Sequence, residues 1–305
     1  MASGTSGAIQ ITVVGGYLGA GKTTLLNHML RSSDERVAVM VNDFGSINID
    51  ADLIAAHDGD TITLTNGCIC CSMVDGFGAA LDEVRSRPIQ PERIIVEASG
   101  VADPASVAAY AHSPGLALDA IIVVADAETI RDKVADRYVG DVVRNQLAAA
   151  DIILLNKTDL VTPDSLVQVT AWLDEHWPSA VVISCVSAAV PTEILFDRPH
   201  QGVLQPRDTL SAQNVFSTWT FTSDSPLERA VVEQLMADLP DTIVRMKGIV
   251  FLDTAPGDAV VLQRVGRRWS LQPSDLKQAE PTSRIVAIGL TDAISDSWLK
   301  RYFGR

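Results

Sequence analysis

The chain has 305 residues, 47% of them hydrophobic and 20% charged, which fits a large globular domain with a smaller companion and excludes an intrinsically disordered protein. Its net charge of −14 argues against nucleic acid as a partner, because such proteins present a basic face. Residues 1–10 lack a signal peptide pattern and no apolar run reaches the ~18–20 residues of a membrane span, so we expect a soluble cytoplasmic protein without a membrane partner.

Short apolar runs rich in β-branched residues alternate with helical patterns from residue 10 to about 190. Near-continuous apolar strands separated by helices are typical of a mainly parallel sheet covered on both faces. The predicted fold class is therefore α/β, a doubly wound sheet whose ligand binds beyond the carboxyl ends of the strands. The predicted strands are 11–14, 37–41, 61–65, 93–96, 120–124, 151–155 and 180–183.

The periodicity ends near residue 190. Residues 191–213 hold three prolines and scattered polar residues, which predicts a linker. A second pattern of strands and helices follows and predicts a small α+β domain. We thus expect an α/β domain at 1–190, a linker at 191–213 and an α+β domain at 214–305. The elements predicted in the last segment are strands at 215–221, 244–252, 259–265 and 285–290, and helices at 226–239 and 293–303.

The first chemical motif follows the first predicted strand. Residues 16–23 read GYLGAGKT and match the phosphate-loop pattern G-x-x-x-x-G-K-[ST], directly before a helical run. Glycines let backbone N–H groups surround the phosphates, and the helix N-terminus adds its dipole. Lys22 is predicted to bridge the β- and γ-phosphates and the Thr23 hydroxyl to bind Mg²⁺. A turn that binds nothing is the disfavoured alternative. The other predicted nucleotide contacts here are Gly16, Gly19, Gly21 and Thr24.

A cysteine cluster follows the predicted strand 61–65. Cys68, Cys70 and Cys71 come directly after an Asn-Gly turn signal. Three soft thiolates suit Zn²⁺ or another thiophilic divalent ion and leave a fourth ligand position open. Buried structural thiols, a redox pair and a permanent structural zinc site remain as alternatives. Cys185 lies in an apolar run and is interpreted as a core residue.

Two later strands end in acidic residues. Glu97 closes one of them and Gly100 follows three positions later, a pattern that predicts a second magnesium element. Glu97 would hold Mg²⁺ or its water, and the Gly100 N–H would sense the γ-phosphate. A surface carboxylate at a strand end is the alternative. Asp126 closes the other strand and is as consistent with a loop cap as with a functional role.

A guanine-reading motif, Asn156-Lys-Thr-Asp159, follows the predicted strand 151–155. The Asp159 carboxylate can accept from N1–H and from the exocyclic amine of guanine, two donors that adenine does not offer in this geometry. Asn156 can reach the other base edge, and the Lys157 stem can lie along the base plane. With the phosphate loop, this motif predicts a GTPase that converts GTP to GDP and phosphate. A small-molecule kinase is disfavoured, because guanine nucleotides are rare phosphoryl donors for such enzymes.

Five sequence blocks in this order resemble the CobW-type metallochaperone GTPases, relatives of the urease and hydrogenase nickel-insertion GTPases. The blocks are GGYLGAGKTTLLNHML, VNDFGSINID, TNGCICCSM, EASGVADP and NKTDL. The resemblance implies slow GTP hydrolysis with Mg²⁺, a Cys-x-Cys-Cys site for Zn²⁺ or Co²⁺ coupled to the nucleotide, and delivery of that metal to client metalloproteins. Residues 245–248, 266–269 and 284–289 resemble the family's C-terminal domain, a client or regulatory surface.

The chain departs from the family in two places. Asp43, counted in the predicted catalytic set with Lys22 and Glu97, stands where members commonly carry Glu. One methylene less displaces such a carboxylate by about 1.5 Å. The histidine-rich stretch of many members is absent. The alternative function is a GTP-gated activator of a metalloenzyme, such as a nitrile hydratase, with a structural metal. Related GTPases dimerise across the nucleotide, which predicts a GTP-dependent homodimer.

Overall fold

The structure, a computed structural model, describes residues 8–32, 36–41, 78, 81–82, 84–98, 100–196, 216–240, 242–254, 257–274, 282–290 and 302. Several predictions lie outside these residues: the strand 61–65, all but one residue of the helix 293–303, and the site residues Asp43, Cys68, Cys70 and Cys71. The chain divides into two compact units, Met1–Leu195 and Phe196–Arg305, and each is described by itself.

The first unit is built on a sheet in which every strand pair is parallel, with six strands among the described residues. Their order is β2-β3-β1-β4-β5-β6, so β1 lies in the middle of the sheet. The apolar runs are explained by burial, since all five residues of β3 and of β5 are buried. The predicted α/β fold class is confirmed. The strands are β1 (Ile9–Gly15), β2 (Val37–Val41), β3 (Arg93–Glu97), β4 (Leu116–Asp126), β5 (Ile152–Asn156) and β6 (Val181–Ser184).

Helices and short 3₁₀ turns connect these strands. The described helices of the unit are α1 (Lys22–Ser32), α2 (Pro104–Ala108), α3 (Ile130–Ala135), α4 (Gly140–Ala149), α5 (Pro163–His176) and α6 (Thr192–Leu195), with 3₁₀ turns at Ala109–His112 and Thr158–Leu160. Side-chain caps fix two of the starts: Asp103 accepts from the Ala105 N–H at 3.0 Å, and Thr162 accepts from the Ser165 N–H at 3.2 Å. None of the described helices is long and apolar enough to cross a membrane.

A short helix lies at the start of the segment predicted to be a linker. Helix α6 occupies four residues near the beginning of 191–213, and the extent of the linker stays a prediction. Ile194 and Leu195 are fully buried, and that burial stabilises a helical turn that local composition does not indicate.

A buried ion pair lies inside the parallel sheet. The register between β1 and β4 shifts by one residue, so that Asp119 is the extra residue of a bulge between Leu118 and Ala120. Its Oδ2 lies 2.5 Å from Nη1 of Arg93, and both side chains are almost completely buried. The Thr12 hydroxyl donates to the same carboxylate at 3.1 Å. Nη1 of Arg93 also donates to the Thr12 hydroxyl at 3.1 Å, so the three side chains form one buried hydrogen-bonded cluster.

The second unit is an antiparallel sheet with one described helix of two or more turns. Its strand order is β10-β9-β8-β11-β7, and α7 (Arg229–Asp238) buries Val232, Leu235 and Met236. The sequence predicted every strand except β10, which follows β9 through a two-residue turn. The strands are β7 (Phe216–Ser223), β8 (Ile243–Phe251), β9 (Ala259–Val265), β10 (Arg268–Pro273) and β11 (Ser283–Leu290).

Candidate functional site

The phosphate loop connects β1 to α1 and depends on glycine for its shape. The φ angles of Gly16 and Gly21 are 132° and 113°, values that other residues rarely adopt. A Cβ on Gly16 would lie 2.3 Å from the Val124 carbonyl oxygen, and a Cβ on Gly21 would lie 2.4 Å from Nδ2 of Asn156. Gly19, at φ 78°, has open space around it. At Gly16 and Gly21 the loop therefore packs too closely against β4 and β5 for a side chain to fit.

The residues that start α1 differ in exposure. Lys22 is buried, Thr23 is half-buried and Thr24 is exposed. The loop ends at the N-terminus of a helix of 11 residues, where backbone N–H groups and the helix dipole favour bound anions. Lys22, Thr23 and Thr24 thus stand at the start of this helix, and their contacts with phosphate and Mg²⁺ stay predictions.

Glu97 lies at the carboxyl end of β3, next to the strand that leads into the phosphate loop. Its backbone pairs with Val14, and the Ala98 N–H donates to the Val14 carbonyl at 2.9 Å. The side chain is only 2% exposed, so the alternative of a surface carboxylate is wrong. Gly100 lies against the phosphate loop: a Cβ at this position would be 3.1 Å from the Leu18 backbone nitrogen.

Gln146 on α4 is a site residue that the sequence reasoning missed. Its Nε2 donates to the carbonyl oxygens of Gly100 at 3.2 Å and of Ala102 at 2.9 Å. The side chain is 1% exposed, and its Oε1 has no hydrogen-bond partner among the residues that the structure describes. Gln146 therefore holds the loop after β3 through two of its carbonyl groups. Its place on the buried face of α4, beside Val143 and Leu147, was a readable signal.

Asn156 ends β5 and joins two loops. Its Nδ2 donates to the Ala20 carbonyl of the phosphate loop at 2.9 Å, and its Oδ1 accepts from the Ala188 N–H at 2.8 Å. Both contacts are within the protein and the side chain is 2% exposed, while its contact with a base edge stays a prediction. The loop after β6 was also missed; Ser187 and Ala188 have positive φ angles there. Small residues directly after a strand end were the only sequence signal for it.

The rest of the guanine motif forms a turn beside Asn156. Lys157 adopts the left-handed conformation at φ 61° and ψ 36°, and its Nζ lies 2.6 Å from Oδ2 of Asp126. Asp126 also accepts from the Glu128 N–H at 2.9 Å, so it caps a loop and pairs with the motif lysine. Asp159 is exposed, and the Thr158 hydroxyl donates to the Cys185 carbonyl at 3.0 Å.

Cys185 is a buried thiol next to this turn. Burial raises its pKa to about 12, and its Sγ lies 3.7 Å from Oδ1 of Asn156. A thiol that stays protonated is a poor metal ligand, in keeping with its interpretation as a core residue. Within the described parts of the chain, no group of three or more His, Cys, Asp or Glu side chains could hold a metal ion. The predicted thiolate site lies outside those parts.

A glycine-dependent phosphate loop and an Asn-Lys-Thr-Asp turn, joined by one asparagine at the carboxyl edge of a parallel sheet, make this a P-loop GTPase. Comparison with known families narrows the class. Residues 10–184 match the family described as CobW/HypB/UreG, nucleotide-binding domain. Residues 216–303 match the cobalamin synthesis protein cobW C-terminal domain. The chain belongs to the CobW/HypB/UreG family.

Two named relatives and one solved structure illustrate which proteins the chain is similar to. Zinc chaperone YjiA of Escherichia coli (strain K12) is 29% identical over 308 residues, which cover 92% of this chain and 94% of that protein. Zinc chaperone CobW of Sinorhizobium sp is 34% identical over 195 residues, 54% of this chain, and the match spans about half (55%) of that relative. The crystal structure of Zn(II)-bound YjiA GTPase from E. coli covers 97% of this chain and 98% of that chain, at 23% identity and a TM-score of 0.44.

Proposed function

We propose that the chain is a GTP-dependent zinc chaperone that binds Zn²⁺ at Cys68, Cys70 and Cys71 and passes it to a client metalloprotein in the cytoplasm. The GTP-dependent part of this proposal rests on the 2.9 Å hydrogen bond from Asn156 to the Ala20 carbonyl, which joins the Asn156–Asp159 turn to the phosphate loop. Relatives named zinc chaperones that match the chain over 92% and 93% of its length support the metal half.

Each nucleotide residue has a role in this proposal. Backbone N–H groups between Gly16 and Gly21 surround the phosphates, and Lys22 neutralises charge on the β- and γ-phosphates. Asp159, exposed at the turn, accepts the two guanine donors. The Gly100 N–H orients the γ-phosphate, and Gln146 keeps that N–H in place through the neighbouring carbonyl groups.

The residues present fit Mg²⁺. Glu97 and Thr23 offer a carboxylate and a hydroxyl, the hard oxygen ligands that this ion prefers. Glu97 is 2% exposed and lies on the strand next to β1, so its carboxylate is held beside the start of the phosphate loop. Held by these two residues, Mg²⁺ would supply positive charge that offsets the negative charge developing on the phosphates during transfer. Asp43 stays a predicted member of the catalytic set.

Zinc is the metal we favour over cobalt, because the curated relatives are named for zinc. Three thiolates with an open fourth position allow release to a client, whereas a closed four-thiolate site retains its ion. Delivery requires that Zn²⁺ affinity differ between the GTP and GDP states. We keep the domain division 1–190, 191–213 and 214–305 and the GTP-dependent homodimer as parts of the proposal; a division of the chain between Leu195 and Phe196 supports the former.

The test is Zn²⁺ affinity by chelator competition, in GDP and in a non-hydrolysable GTP analogue. A Cys68/Cys70/Cys71→Ser triple variant should lose Zn²⁺, while Cys185→Ala, which removes a buried thiol, should retain it. We expect at least a tenfold change in affinity between the nucleotide states, equivalent to ~1.4 kcal/mol. Full Zn²⁺ binding by the triple variant would refute the proposed site. Equal affinity in both states would leave a GTPase with a structural metal, which is the activator alternative.

A further inference from the structure

The carboxylate of Asp126 divides its two oxygens between two tasks. Oδ1 accepts from the Glu128 N–H at 2.9 Å and so stabilises the turn after β4. Oδ2 lies 2.6 Å from Nζ of Lys157, in a pair whose side chains are 14% and 34% exposed respectively. The turn needs only one oxygen, so its formation does not explain the ion pair.

Sheet register brings the two residues together. Asp126 is the β4 partner of Asn156 at the end of β5, and Lys157 is the next residue along the chain. Lys157 leaves the strand in the left-handed region, which is unfavourable for a residue with a Cβ and persists only where the surroundings fix it. The ion pair is the contact that fixes the far end of this side chain.

An unrestrained lysine stem would have to be ordered by the nucleotide itself. Lysine has among the highest rotamer entropies of all side chains, so a ligand that packs against its stem binds more weakly when the stem is mobile. A partner that holds Nζ in advance removes that cost. A charged oxygen at 2.6 Å, shielded on most of its surface, is suited to do so.

We propose that Asp126 is a positioning residue for guanine binding: it holds Lys157 so that the lysine stem forms a wall of the base pocket beside Asp159. The inference rests on the proposed function in one respect, that the base binds against the turn from Asn156 to Asp159. It assigns Asp126 no contact with the nucleotide.

The test compares binding of GTP with binding of inorganic triphosphate, a probe that has the phosphates and no base. Asp126→Asn retains an oxygen for the Glu128 N–H and loses the charge, so GTP should bind about tenfold more weakly while triphosphate binding and the saturated hydrolysis rate stay unchanged. Asp136→Asn is the matched control. Asp136 also caps a turn, by accepting from the Tyr138 and Val139 N–H groups.

A Lys157→Met background separates positioning from general damage. If Asp126 acts through Lys157, then Asp126→Asn has no further effect on GTP affinity in that background. An equal effect in both backgrounds, an equal loss for triphosphate, or wild-type GTP affinity in Asp126→Asn would each overturn the inference.

Asp159→Asn distinguishes this failure from failure of the proposed site. An asparagine amide donates where xanthine carries a carbonyl, so this variant should exchange GTP preference for xanthosine triphosphate. If it does so while Asp126→Asn behaves as wild type, the base site stands and the positioning role is wrong. If Asp159→Asn leaves GTP affinity unchanged, the base binds elsewhere and both are refuted.

Discussion

Replacing Asn156 with Ala should destabilise the nucleotide-free protein, apart from any effect on GTP. The side chain donates to the Ala20 carbonyl at 2.9 Å and accepts from the Ala188 N–H at 2.8 Å. Asn156, Ala20 and Ala188 are 2%, 4% and 0% exposed. Water therefore has little access to the Ala20 carbonyl and the Ala188 N–H, which both lose their partner when Asn156 is replaced. The cost is therefore that of two buried polar groups left without partners.

The magnitude follows from that count. A buried donor or acceptor without a partner costs ~1–3 kcal/mol, so the two together give a loss of ~2–6 kcal/mol. At about 2–4 °C per kcal/mol for a unit of this size, a loss near ~3 kcal/mol lowers Tm by about 6–12 °C.

Differential scanning calorimetry without nucleotide measures this change and separates the transitions of the two units. Thr158→Val is a graded control in the same turn. It loses the hydroxyl bond to the Cys185 carbonyl at 3.0 Å, while the Thr158 N–H keeps its own contact with that oxygen at 3.3 Å. We expect less than ~1 kcal/mol for the control. A Tm shift below about 2 °C for Asn156→Ala, or one equal to that of the control, would refute the reasoning.

Three further predictions test the site and the core. Gly21→Ala puts a Cβ 2.4 Å from Nδ2 of Asn156 and should weaken GTP binding more than about 100-fold in a calorimetric titration, whereas Gly19→Ala meets no atom within 4 Å and should weaken it about tenfold; equal losses would contradict this. Asp119→Ala removes the carboxylate partner of a buried arginine and should lower the urea unfolding free energy by ~3–5 kcal/mol, so a loss below ~1 kcal/mol would count against the ion pair. The pKa of Cys185, raised by burial from 9.0 to about 12, makes its thiolate about 1,000-fold rarer at pH 8. Iodoacetamide should therefore leave Cys185 unmodified until the protein unfolds, as peptide mass mapping would show. Because the folded pKa is the higher one, its stabilising effect is complete below pH 9 and is lost as pH rises toward 12; Cys185→Ala should remove that part of the alkaline loss.

The strands of the first unit could be predicted because burial on both faces leaves a direct mark on the sequence. Strand β4 is the informative exception: the apolar run predicted 120–124, and the strand extends from Leu116 to Asp126. Asp119 interrupts the run, and only the tertiary contact with Arg93, 26 residues away, makes a charge tolerable there. Strand β10 was missed for the opposite reason. It is an edge strand of six residues, four of them exposed, in which apolar and polar residues alternate, so it carries no continuous apolar run.

The candidate site also contains residues that the sequence identified and residues that it missed. Glu97 and the glycines could be found because a strand end and a local motif mark them. Gln146 and Ala188 were missed because their partners lie 46 and 32 residues away; local spacing indicates a buried helix face and a turn but does not identify the contacts. The sequence identified the residues that are predicted to contact the nucleotide, and it missed Gln146 and the loop of Ala188, whose hydrogen bonds hold neighbouring parts of the site in place.

We expect the hydrogen bonds of Asn156 and Gln146 to determine which parts of the site respond when GTP is replaced by GDP. Asn156 joins the phosphate loop to the Asn156–Asp159 turn by hydrogen bonds that do not involve GTP, so we expect these two parts to keep their arrangement when GTP is lost. The loop of Glu97 and Gly100 is held by the two carbonyl contacts of Gln146 and by its packing on the phosphate loop. Strand β2 ends at Val41, the register partner of Glu97, and the chain that continues from it carries Asp43 and the three cysteines. If the chain binds Zn²⁺ as proposed, the pairing of Glu97 with Val41 is the described link between the predicted γ-phosphate residues and the segment that carries the cysteines. We therefore expect a variant of Gln146 to alter the dependence of Zn²⁺ affinity on the nucleotide without altering guanine binding.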